Sequence, residues 1–88
     1  MRVATSIREK LIAALAPERL EIEDESHRHA GHAGARPQGE SHFRVTVVSS
    51  RFAGLSRVSR QRLVYGALAD DLRTDIHALS LTTLAPGE

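Results

Sequence analysis

Residues 41–49 read SHFRVTVVS. Phe43, Val45 and Val47 alternate with His42, Arg44, Thr46 and Val48, the two-residue period of a half-buried strand. The odd positions belong to a core and His42 faces away from it. Upstream, Leu20-Glu21-Ile22-Glu23 alternates in the same way, with its acids leaving one face in water. Residues 27–39 lie between these two runs, with three glycines, one proline, several small residues and no periodicity. They read as a loop of about a dozen residues, a length that in a compact domain often carries function. Two strands joined by a loop imply an antiparallel pair.

Helical patterns flank the pair. Ile7, Leu11, Ala14 and Leu15 form one apolar stripe, and Pro17 disfavours helical geometry at Ala16. Ser6-x-x-Glu9 has the form of a capping box, which predicts a first helix over about Ile7 to Leu15. After the strand, Phe52-Ala53-Gly54 breaks the pattern, with Gly54 suited to a turn conformation. Ser56 can cap a second helix running to about Leu72, with a stripe of Val58, Val64, Tyr65, Leu68 and Leu72. Gln61 falls on that inner face, Arg60 and Arg62 flank it, and Leu63 points away. His77 to Leu84 reads as a last strand. The order is helix, strand, strand, helix, strand: an α+β domain with a three-stranded mixed sheet and both helices on one face.

The composition sets limits. Eighty-eight residues make one small domain, and 41% apolar residues support one core, aliphatic because only Phe43, Phe52 and Tyr65 are aromatic. There is no cysteine, hence no disulfide and no thiolate ligand. No apolar run is long enough to cross a bilayer, and residues 1–11 lack the apolar core of a signal peptide. These features predict a cytoplasmic protein without membrane association. The net charge of +1 exerts no global pull on nucleic acid. Charge is nevertheless segregated, with acids at 18–25 and arginines at 44, 51, 57, 60 and 62.

Catalysis has little support. A nucleophile elbow, a phosphate-binding glycine loop and a dinucleotide fingerprint are all missing, and no spacing picks out a triad. The histidines are more informative. His27, His29 and His32 give H-x-H-x-x-H, and neutral imidazole ligates zinc, copper, iron and nickel. The spacing matches no defined zinc motif, so surface histidines are the more ordinary reading. His42 reads as a strand-pair or loop-anchoring residue, and His77 as a strand-start histidine that the fold brings towards the loop. Arg57, Arg60 and Arg62 could contact phosphates, although from charge alone a solvated helix face accounts for them better.

Several ordered blocks resemble one family. They are Asp24-Glu25-Ser26, Gly39 to Val45, Val47-Val48-Ser49, Arg51 to Ser56, Arg60 to Tyr65 and Ile76 to Ser80. Together they resemble the BolA-like family along nearly the whole chain, residues 1–88 forming a single domain. The resemblance implies a fold similar to a class II KH domain. It also implies a non-enzymatic partnership with a monothiol glutaredoxin around a shared [2Fe–2S] cluster, in iron–sulfur trafficking or iron regulation. The partner would supply a cysteine thiolate and a bound glutathione thiolate. This chain would supply His77 and a loop histidine, His29 by position or His32 in a loop longer than usual. His27 fits a position more often aromatic or small. Some bacterial members are also described as DNA-binding transcriptional regulators, which would place Arg57, Arg60 and Arg62 against DNA. The family's Arg-His-Arg is Arg60-Gln61-Arg62 here, which weakens readout through that histidine. Alone, the chain is expected to be a monomer or weak homodimer.

Overall fold

The structure, a computed structural model, describes residues 2–25 and 42–88. Its elements are α1 (Arg2–Leu15), β1 (Arg19–Asp24), β2 (His42–Val48), a 3-10 turn (Ser50–Phe52), α2 (Arg57–Ala67), α3 (Ala69–Thr74) and β3 (Ala78–Leu84). The expected α+β architecture is present. β2 is the central strand, antiparallel to β1 and parallel to β3. Parallel pairing requires a crossover, and the chain between Ser50 and His77, with α2 and α3, provides it.

Register follows the alternation in β2. Phe43, Val45 and Val47 lie opposite Asp24, Ile22 and Leu20 on one side and Leu79, Leu81 and Thr83 on the other. This inner face packs against the α1 stripe of Val3, Ile7, Leu11 and Leu15, and against Phe52, Val64, Leu68 and Ile76. Each such side chain contributes about 1.5–3 kcal/mol by leaving water. On the opposite face Arg19, Glu21, Glu23, Arg44, Ser80 and Thr82 remain exposed, and an ion pair joins Arg19 to Glu21.

Three expectations change. α1 begins at Arg2 rather than Ile7, because Val3 extends the apolar stripe one turn upstream. Ser6 therefore caps nothing. Its hydroxyl donates 3.1 Å to the buried carboxylate of Asp71, which also receives Lys10 Nζ at 3.1 Å. These two bonds tie α1 to α3. The single second helix is in fact two, broken at Leu68, whose φ of −105° and ψ of 15° depart from helical values. Val58 and Tyr65 lie outside the core, 56% and 40% exposed, whereas Val64 and Leu68 are fully buried.

Other local rules hold. Ser56 caps α2, its Oγ accepting from Ser59 N–H at 3.1 Å. Gly54 takes a φ of +79° in the turn after Phe52. α1 stops where Ala16 enters the left-handed region at φ 43°, one residue before Pro17. At the close of β2, Ser49 is completely buried. Its Oγ donates to Leu15 O at 2.6 Å, and its N–H donates to Leu84 O at 2.9 Å. One residue thus joins the ends of α1, β2 and β3.

Candidate functional site

The end of the sheet opposite Ser49 gathers the chemistry. Glu25 N–H donates 2.7 Å to His42 O and prolongs the β1–β2 ladder by one pair. That pair, Glu25 and His42, flanks residues 26–41 in the sequence. In β2, His42 is the first residue, and it lies opposite Ala78, the first residue of β3. His77 immediately precedes that position. The parallel register therefore brings together two histidines that are far apart in sequence. Their ring centroids are 6.1 Å apart with planes at 70°, an edge-to-face contact. His42 is half-buried and His77 exposed. Beside them Arg44 pairs with Glu25 at 3.4 Å, the Glu25 side chain being largely covered.

The expected meeting of His77 with the loop histidines cannot be read from this geometry, since His27, His29 and His32 lie outside the described residues. The neighbour actually found for His77 is His42, whose sequence reading had been only a strand-pair or anchoring residue. The signal was present in part: alternation put His42 outward at one strand start, and His77 stood at another. Sequence alone did not supply the register that joins those starts. Among the described residues no three His, Cys, Asp or Glu side chains converge as a complete metal site. Among the described residues, two imidazoles are what this end of the sheet offers.

The three arginines of α2 separate in role. Arg57 and Arg62 are exposed. Arg60 is folded back onto its own chain, with only 12% of its side chain accessible. Its guanidinium donates to Leu55 O at 3.0 Å, to Thr83 O at 3.2 Å and to both Glu88 carboxylate oxygens at 2.6 and 2.8 Å. It also sits 6.0 Å from the Phe52 ring centroid. The Arg60 hydrogen bond, helped by Ala85 N–H, lowers the Glu88 pKa to about 2. The same bond raises that of Arg60. Next to these arginines, Leu55, Val58, Leu63 and Tyr65 leave apolar surface in water. No helix among the described residues is long and apolar enough to cross a membrane.

Fold and sequence together define a class. A family profile described as "BolA-like protein" matches residues 11–88. The chain belongs to the BolA-like family. It is 49% identical over 89 residues to an "Uncharacterized protein in cobS 5'region" of Sinorhizobium sp, covering 100% of this chain and 96% of that protein. To the "DNA-binding transcriptional regulator BolA" of Escherichia coli (strain K12) it is 47% identical over 83 residues, covering 94% of this chain and 75% of the relative. The structure of BolA1 from Arabidopsis thaliana superposes with a TM-score of 0.85 at 43% identity, over 98% of this chain and 94% of that one. Of several plant and mammalian relatives the chain spans only part, between 23% and 61% of their length. These names describe an uncharacterised protein, a regulator and a BolA1 protein, and none of them names an enzyme.

Proposed function

We propose that the chain is a non-enzymatic partner of a monothiol glutaredoxin and donates imidazole nitrogen to a [2Fe–2S] cluster shared with it and with glutathione. The observation that carries this reading is the position of His77, which meets a second imidazole at the sheet end formed by Glu25 and His42. The donor set fits. A chain without cysteine cannot hold a cluster by thiolates alone, whereas paired histidines can replace paired cysteines on one iron. Imidazole ligation raises the cluster potential and makes the attachment sensitive to acid. His77 is the first donor, and the family position in the loop points to His29 or His32 for the second. Trafficking of the cluster or sensing of iron would follow from a site completed only by a partner.

The test is a titration of the chain into cluster-loaded monothiol glutaredoxin, followed by visible circular dichroism. A new spectrum saturating at one-to-one and lost with His77→Ala supports the reading. A spectrum identical to that of the glutaredoxin alone refutes it.

A second reading is DNA binding through α2. It is favoured by the name of the Escherichia coli relative and by the exposure of Arg57 and Arg62. Each phosphate contact steepens the salt dependence of binding by about 0.9 logarithmic unit. Affinity for duplex DNA that is flat in salt would remove this reading.

A further inference from the structure

The two outer strands of the sheet differ in how their edges are guarded. β1 carries Arg19, Glu21, Glu23 and Asp24, four charged residues in six, an arrangement that keeps an edge from recruiting a second strand. β3 reads ALSLTTL and has no charge, no proline and no glycine in its seven residues. Among the described residues the sheet order is β1-β2-β3, so β3 is paired on one side alone.

The direction of its backbone groups follows from one bond. Ser49 N–H donates to Leu84 O, so Leu84 turns towards β2. In a parallel ladder one residue directs both its N–H and its C=O to the same neighbour, and the next directs both away. Leu79, Leu81 and Thr83 therefore present their backbone groups to the outer side. Thr83 O is already taken by Arg60 Nη1 at 3.2 Å. Leu79 and Leu81 are left, their side chains partly buried against the core. Between them Ser80 is exposed on the opposite face, together with Thr82.

We infer that β3 pairs antiparallel with β3 of a second copy of this chain, across a two-fold axis at Ser80. A two-fold contact must match one surface to itself, and this register does so. Leu79 of each copy lies opposite Leu81 of the other, and the two exchange N–H···O bonds in both directions. Their side chains meet on the helix-covered face. Ser80 faces its own counterpart in a small polar cross-strand pair. Thr83 falls outside the pairing and keeps Arg60. The occupant is a second copy because the open stretch is too short to order a flexible peptide. A folded copy presents the same two residues already extended and loses little freedom on binding. The product is one continuous sheet of six strands, and it does not depend on the proposed function.

Self-association of the full chain is followed by sedimentation equilibrium between about 10 μM and 1 mM, the range suited to a small interface. A reversible monomer–dimer equilibrium is expected. Ser80→Lys sets two like charges directly opposite at the axis and should weaken it about fivefold. Single thiols read the register, since the chain has no cysteine of its own. Opposed residues of a non-hydrogen-bonded pair have Cα atoms about 4.5 Å apart, within reach of a disulfide. Ser80→Cys should therefore give a disulfide-linked dimer when diamide accepts the two thiol hydrogens. Thr82→Cys, whose counterpart lies about 13 Å away along the strands, should remain reduced. Far-UV circular dichroism establishes that the variants are folded. A chain monomeric up to about 1 mM, a Ser80→Lys dimer as strong as the wild type, or Thr82→Cys linking as readily as Ser80→Cys overturns the inference.

Discussion

The two ends of the sheet use polar side chains in opposite ways. At the Ser49 end, donors and acceptors are consumed inside the chain: Ser49 joins α1 to β2, and Arg60 spreads its guanidinium over Leu55, Thr83 and Glu88. At the His42 end, two imidazoles meet each other across a parallel register. The first arrangement closes the fold. The second brings two imidazoles side by side next to the residues that connect β1 and β2 in sequence. A buried serine or a folded-back arginine thus speaks of architecture even when its residue type suggests a binding surface.

The contrast can be broken most severely at the imidazole end. His77→Ala should abolish the shared-cluster dichroism while leaving thermal unfolding within about 0.5 kcal/mol of the wild type, as expected of an exposed position. A large fall in melting temperature would show that His77 serves the fold. The reverse is expected of Ser49→Ala. It strands the Leu15 carbonyl in the core, at about 1–3 kcal/mol in chemical denaturation, with cluster binding by the folded fraction intact. A variant as stable as the wild type would contradict the closed-end description.

Smaller effects sharpen the comparison. Ala16→Gly relieves a left-handed backbone that alanine adopts at a cost of about 1 kcal/mol, and should raise the denaturation midpoint by a corresponding amount. If duplex DNA is bound, Arg62→Ala should reduce the salt slope by about 0.9 unit, and Arg60→Ala by clearly less, since its donors are already engaged. Equal reductions would mean that Arg60 exchanges Glu88 for phosphate. The smallest effect belongs to pH. Glu88 has a folded pKa of about 2 against an ordinary 4.5. A lowered carboxyl pKa stabilises the folded chain above 4.5, and that contribution fades as pH falls from 4.5 through about 2. An NMR titration of the Glu88 carboxyl should show the low midpoint, and Arg60→Ala should return it towards 4.5.

Much of this was readable from the residues, for reasons that can be stated. The alternation of residues 42–48 reports a strand with one buried face, and that pattern alone set the inner and outer lists. Ser56 was legible as a cap because capping is local. The start of α1 was misread because Ser6-x-x-Glu9 mimics a box while the apolar stripe already includes Val3. The break at Leu68 was missed since Leu72 keeps the helical spacing across it. Asp71 gave no local sign that it would be buried, its partners Ser6 and Lys10 lying more than sixty residues upstream. The same holds for His42 and His77. The family motif pointed to His77, but the neighbour came from a long-range register that no window of sequence contains.

That register also orders events in time. His77 leaves the ribosome thirty-five residues after His42, and β3 can align beside β2 only once the crossover between them has been made. Parallel pairings of this kind form late. Until then the two imidazoles stand apart, and the ring contact at this end of the sheet does not exist. Completion of the crossover is therefore what brings His77 beside His42.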